Sequence, residues 1–268
     1  MEILTCVKRV PMVGGKIVVT ADGQDVDTRM SGFTVSPHEE CAVEEAVRLA
    51  ERHGGSVTVL TLGPPAAADQ LRDMLALGAT RAVLLETDGR EWGPVATAQA
   101  IAEAIRARGC PYDLLLFGNE AADTGDYQAA VRVAHALGLP CVTGIKNLEV
   151  TVAADGGAAS DGAAAGKGFR ARARREYRGV EEVFEIPLPA VVSVKEGINL
   201  PRYPSLPGRL RAKRAAIEQS APPWRPEGLR KERLRVPAGQ TKRAEILGTG
   251  PDAVPALVAL LDELGVLR

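Results

Sequence analysis

The stretch with the clearest chemical potential is "DLLLFGNEAADTGDYQ", Asp113 to Gln128. An apolar run ends at Gly118, and a small, polar loop follows before the next helical pattern. In an open parallel sheet, ligands bind beyond the carboxyl ends of the strands, where helix N-termini offer free N–H groups and a dipole that favours anions. Gly118, Asn119, Asp123, Thr124, Gly125 and Gln128 are spaced to line a nucleotide site. The same spacing also suits a plain strand-to-helix loop with Asp and Thr as caps. Two acids beside a phosphate repel it, which directs Asp123 towards a ribose or another protein. A second strand end, "TLGPP", sets Gly63 after Leu62, where backbone can approach a ligand closely.

Other signatures fail. "DGAAAGKG" has Asp161 where a phosphate loop opens with Gly, and Gly168 where Ser or Thr follows the Lys. "GTGPDA" from Gly248 lacks a following strand–helix–strand unit and reads as a helix cap. His38, His53 and His135 have no partners at metal-ligand spacing, and no Ser–His–Asp pattern exists, so side-chain catalysis has no candidate. Cys6, Cys41, Cys110 and Cys141 form no C-x-x-C pair and read as reduced thiols of a cytoplasmic protein. "MEILTCVKRVPM" is no signal peptide, and no apolar run approaches the ~18 residues of a membrane span.

The elements that must position the loop are legible from hydrophobic period. "EILTCV", "SVTVLTLG", "RAVLLE" and "DLLLFG" read as buried strands. They alternate with helices such as "SPHEECAVEEAVRLAERHGG", which has Ser36 at the N-cap, Pro37 in the first turn, and Val43, Ala46, Val47 and Ala50 on one face. This rhythm implies an α/β fold, a doubly wound and mostly parallel sheet covered on both faces. Past Cys141 the rhythm stops. Two strand-like stretches, "CVTGIKNLEVTVA" and "VEEVFEIPLPAVVSV", flank a Gly/Ala tract read as a hairpin insertion over 153–168. The expected organisation is an α/β domain over 1–196 and a recognition loop with an extended C-terminal arm over 197–268, ending in the helix "DAVPALVALLDELGVL".

That arm differs in composition. From Pro201 to Arg235 there are ten Lys or Arg against three Glu, a local balance of +7, while the remainder carries −8 for a net charge of −1. Nine of the eighteen prolines lie between Pro187 and Pro237. "NLPRYPSLPGRLRAKR" is too proline-rich for a core strand or helix interior and reads as an ordered surface loop holding Leu206 outward. Arg209, Arg211, Lys213 and Arg214 then form a solvated basic face or a docking surface for an acidic protein. Nucleic acid is disfavoured, because only Tyr203 and Trp224 are near enough to stack on bases.

Taken in order, these segments resemble the β subunit of electron transfer flavoprotein, including relatives in nitrogen-fixing and electron-bifurcating systems. "VKRVP" looks like the family's opening strand and turn, "SPHEECAVEEAVRLAE" its first helix, and "LGPPAAADQLRDMLALGATRAVLL" its next segment. "DLLLFGNEAADTGDYQ" is similar to its nucleotide loop, and "LPAVVSV" with "NLPRYPSLPGRLRAKR" to its signature. The resemblance implies a fold like that of the adenine nucleotide α-hydrolases and a heterodimer with an α subunit. It implies an electron carrier and not an enzyme, with FAD held mainly by α. The β subunit would add AMP, or a second FAD in bifurcating members, or nothing. The implied pocket uses Cys6, Lys8, Ser36, Pro37, His38, Glu39 and Leu62, with Gly118, Asn119, Asp123, Thr124, Gly125, Tyr127, Gln128, Ala129 and Ala130. Val13 and His38 fall where the family approaches the flavin ring. The leucine matching Leu206 implies an anchor for a flavoprotein dehydrogenase such as acyl-CoA dehydrogenase, rimmed by Arg202, Tyr203, Arg209, Arg211 and Lys213. A quinone oxidoreductase-type acceptor is implied downstream, with the membrane reached only through a partner. The alternative is a nucleotide-binding regulatory protein of the same fold without a redox role.

Overall fold

A computed structural model describes residues 1–12, 17–109, 112–152, 168–228, 231–237 and 246–267. Val13, Cys110 and the Gly/Ala tract over 153–167 lie outside the described residues. Strand β1 (Glu2–Cys6) is followed by a short antiparallel pair, β2 (Val10–Pro11) and β3 (Phe33–Thr34). Then come α1 (Pro37–His53), β4 (Ser56–Gly63), α2 (Ala68–Leu77), β5 (Arg81–Glu86), α3 (Pro94–Ala107), β6 (Leu114–Gly118), α4 (Ala129–Leu137) and β7 (Cys141–Ile145). β8 (Asn147–Val152), β9 (Phe169–Tyr177) and β10 (Val180–Pro187) form a separate antiparallel sheet before β11 (Ala190–Val194) returns to the main one.

The main sheet runs β12-β5-β4-β1-β6-β11-β7 with every pairing parallel, its first edge being β12 (Ile217–Ser220) from the arm. Alternation along the strands sorts the core. Ile3, Val57, Val59, Leu114 and Leu116 face α1 and α2, while Leu4, Leu60, Leu115 and Phe117 face α3 and α4. The chain steps outward from β1 through β4 to β5, and α3 then carries it back across to β6. The direction of winding therefore reverses between β1 and β6. A crevice opens at such a reversal, at the carboxyl ends of the two strands.

Three elements were not foreseen. β9, "FRARARREY", turns Ala171 and Ala173 inward and Arg170, Arg172 and Arg174 outward. Its inward side chains are too small to give a hydrophobic signal. β12, "IEQS", is polar and is recruited as an edge by pairing with β5. The third is α5 (Leu206–Arg214), which corrects the reading of this segment as a loop. Pro207 sits in its first turn, where no intrahelical N–H is needed. Ser205 caps it by accepting a hydrogen bond from the Gly208 N–H at 3.1 Å. A Cβ on Gly208 would lie 2.9 Å from Ala76 O, so glycine permits the close approach of α5 to α2. Arg72 closes the other end by donating to Ala212 O and Lys213 O at 2.9 and 3.2 Å.

The terminal helix α6 (Val254–Glu263) has no buried residue, and Val254, Leu257 and Val258 are exposed. Among the described residues no helix is long and apolar enough to cross a membrane.

Candidate functional site

A cavity of about 370 Å³ opens at the β1–β6 reversal, a size and position typical of small-molecule sites. Of the residues singled out from sequence, Cys6, Lys8, Glu39, Leu62, Gly63, Gly118, Asn119, Thr124, Tyr127, Gln128, Ala129 and Ala130 line it. Ser36, Pro37 and His38 stand behind that lining at the start of α1. Asp123 is held by Lys8, whose Nζ lies 2.8 Å from its Oδ1. This contact pairs one acid of the loop, while Glu120 and Asp126 line the cavity themselves. Gly125 faces open space with a φ of +56° and serves the turn.

Glu39 is the hinge of this geometry. Its side chain is buried, and Oε2 accepts the backbone N–H groups of Lys8 at 3.1 Å and Ser36 at 3.2 Å. The second contact completes a capping box at the start of α1. The first ties the end of β1 to that helix. Burial pushes the Glu39 carboxyl up to about 8, against the two N–H groups and the Lys8 charge, which pull it down. Gly118 must be glycine for this to fit, because a Cβ there would lie 2.6 Å from Glu39 Cγ and 3.0 Å from its backbone N. His38 lies beside them, its Nε2 3.7 Å from Glu120 Oε1 and its Nδ1 buried without a hydrogen-bond partner. Cys6 at the floor has its thiol pushed up by burial and then by Glu39, so it is an inert wall.

The loop from Asn119 is fixed to β11 by Asn119 N–H to Val194 O at 2.9 Å and Ser193 Oγ to Asn119 Oδ1 at 3.0 Å. It ends in Tyr127, at a φ of 54°, and delivers the chain to α4. No side chain caps that helix, and Gln128, Ala129 and Ala130 at its start line the cavity. The positive dipole end of α4 thus borders the cavity. The cavity is bounded by the uncapped start of α4 and is apolar at Leu60, Leu62 and Ile101.

The β5–α3 wall was missed from sequence. Arg90, Trp92, Gly93, Pro94 and Thr97 line the cavity, and Trp92 Nε1 is buried without a partner. Arg9 also lines it, its guanidinium 3.2 Å from the centre of the Phe33 ring. The one available signal was the strand end at Glu86, since any such end in this sheet borders the crevice. Among the described residues no cluster of His, Cys, Asp or Glu is arranged to hold a metal ion.

The residues expected to meet a protein partner lie elsewhere. Leu206 opens α5 at 71% exposure and Tyr203 is at 95%. Arg209, Arg211 and Lys213 are also exposed. Arg202 is different, because it points inward. Its Nε donates to Glu44 Oε2 at 2.9 Å and its Nη atoms to Glu51 at 2.7 and 3.0 Å. It anchors the loop instead of presenting a free charge.

Residues 26–223 match the electron transfer flavoprotein domain. The chain is 35% identical over 222 residues to the electron transfer flavoprotein subunit beta of Bacillus subtilis, covering 82% of this chain and 78% of that one. It is 34% identical to the same-named subunit of Syntrophomonas wolfei, covering 82% and 80%. Over 147 residues it is 37% identical to the acryloyl-CoA reductase electron transfer subunit gamma of Anaerotignum propionicum, covering 53% and 54%. The chain belongs to the electron transfer flavoprotein family, on its beta-subunit side.

Proposed function

We propose that this chain is the β half of a heterodimeric electron transfer flavoprotein, an electron carrier that passes electrons from a flavoprotein dehydrogenase to a downstream acceptor. FAD, held mainly by an α subunit, supplies the redox chemistry. The chain's own residues bind, orient and dock. The supporting observation is the cavity at the β1–β6 reversal, with the uncapped start of α4 at one end and an apolar floor at the other. It suits AMP, with phosphate oxygens accepting from the first N–H groups of α4 and Lys8 held nearby by Asp123. Leu206 and Tyr203 supply an exposed apolar anchor beside the cations Arg209, Arg211 and Lys213, which suits an acidic dehydrogenase surface. Helix α6, apolar and covered by nothing among the described residues, suits burial against the α subunit.

The deciding experiment is mass spectrometry of nucleotides released by denaturing the purified chain, alone and with its α partner. AMP from the chain supports a carrier with a single flavin. Two FAD per heterodimer would transfer the cavity to a second flavin. A chain free of nucleotide, beside a heterodimer that still holds FAD, would defeat the AMP reading.

A further inference from the structure

The chain beyond β12 is tied down along the far wall of the cavity. Trp224 Nε1 donates to Glu91 O at 3.0 Å, and the Arg90 guanidinium lies 5.1 Å from the centre of the Trp224 ring. Arg225 pairs with Glu103 at 2.7 Å and Lys231 with Glu91 at 3.1 Å. Further on, Gln24 Nε2 donates to Glu232 O and Leu234 N–H to Gly23 O, both at 2.8 Å. The central contact is Glu227. Its Oε2 accepts the N–H groups of Val95 at 2.9 Å and Ala96 at 3.0 Å, so it caps α3 from more than a hundred residues downstream.

Two features make this cap more than a surface contact. The N-cap of α3 is Gly93, which has no side chain to satisfy the first turn, so Glu227 supplies what local sequence omits. A Cβ on residue 93 would also lie 1.2 Å from Glu227 Oε1, so glycine there is a condition of the contact. The exposed pairs around it are individually weak. A carboxylate taking two backbone N–H groups at the positive end of a helix is the strong member. What it holds is the β5–α3 wall, whose Trp92, Gly93, Pro94 and Thr97 line the cavity.

We infer that residues 224–228 and 231–234 form a clasp setting the β5–α3 wall of the ligand cavity, with Glu227 as the positioning residue through which the arm governs nucleotide affinity. The inference rests on reading the cavity as an adenine nucleotide site.

The test is calorimetric titration of the full chain with AMP, for wild type, Glu227→Ala, Glu227→Gln and Gly93→Ala, with amide exchange at Val95 and Ala96 followed in each. Glu227→Ala is expected to bind AMP about tenfold more weakly, a loss of about 1.4 kcal/mol, with faster exchange at both amides. Gly93→Ala, which expels the carboxylate without touching it chemically, is expected to match it. Glu227→Gln keeps an oxygen that can accept both N–H groups and is expected to recover affinity to within about threefold. Both tryptophans of the chain sit in or under the clasp, so their emission is expected to shift in the Ala variants and not in Gln. Wild-type AMP affinity in both Ala variants overturns the clasp. Glu227→Gln as weak as Glu227→Ala overturns the hydrogen-bonding role assigned to Glu227. A wild-type chain that binds no AMP overturns the nucleotide reading itself, and the clasp's ligand role with it.

Discussion

Helix α1 buries two glutamates, and they are treated in opposite ways. Glu39, in the first turn beside the cavity, meets only backbone N–H groups, and burial drives its carboxyl up to about 8. Glu44, further along under the proline-rich loop, is buried as well. Burial pushes it up too, but hydrogen bonds from Arg202 and Arg48 outweigh this and hold it below the usual range. The difference separates two kinds of structure. On the arm side two cations close on the carboxylate and lock the loop that carries Tyr203 and Leu206, with Asn199 Oδ1 the buried atom left without a partner there. The cavity side leaves buried polar atoms without partners, at His38 Nδ1 and Trp92 Nε1. Unpaired groups around an open volume are expected where a ligand completes the site.

The sharpest way to break this comparison is to make Glu44 resemble Glu39. Arg202→Ala leaves a buried carboxylate with Arg48 as its remaining cation, and is expected to destabilise the fold by about 3 kcal/mol at neutral pH. A carboxyl with a depressed pKa contributes stability above its unfolded value and loses it as pH falls through the folded one. The deficit of Arg202→Ala should therefore shrink in acid, below about pH 4. Urea unfolding at several pH values reads this directly. A deficit under about 0.5 kcal/mol, or one that does not vary with pH, would remove Arg202 as an anchor.

Glu39 runs the other way. A raised carboxyl binds its proton more tightly folded than unfolded, so stability falls as pH rises from the ordinary carboxylate range towards about 8. Glu39→Gln, which cannot ionise, is expected to gain steadily on wild type as pH rises from about 5 to about 8 and to hold that gain above it. Parallel stability curves for the two proteins would show that Glu39 is not held neutral by burial. A smaller effect is expected from Gly118→Ala. Its Cβ would press on Glu39 Cγ and backbone N, costing about 1–2 kcal/mol of overpacking and narrowing the cavity mouth. Unchanged melting temperature with unchanged AMP binding would mean that α1 yields there without strain.

Much of the cavity side was readable in sequence because its grammar is local. The strands are apolar runs, the helix starts carry Ser36 and Pro37, and Gly118 marks the strand end where a ligand loop begins. Twelve of the residues singled out from sequence line one cavity. The arm side was poorly readable, and each failure has a cause. Three prolines concealed α5, because the helix begins between them, with Pro207 in the turn where proline is tolerated. The inward positions Ala171 and Ala173 gave β9 no apolar signal. The β5–α3 wall depends on Glu227, and nothing in "RPEGLR" signals a helix cap more than a hundred residues upstream. Capping at a distance has no local pattern to read.

The finest test of the comparison lies at Leu206, where the arm presents an exposed apolar side chain. At 71% exposure it contributes little to the fold, so Leu206→Ala should leave stability within about 0.5 kcal/mol of wild type. Heterodimer formation and flavin content should also be unchanged, since neither α6 nor the cavity is touched. Under the proposed docking role, what should fall is electron delivery from the dehydrogenase, by about tenfold, as expected when an apolar anchor is removed from an interface. The loss should appear as faster dissociation. Charge reversals at Arg209, Arg211 or Lys213 should instead slow association and flatten its salt dependence, because long-range attraction acts before contact is made. Stopped-flow reduction of the heterodimer over a range of salt separates the two effects. Equal rates for Leu206→Ala and wild type at every ionic strength would remove Leu206 from the docking surface and leave its exposure without a function.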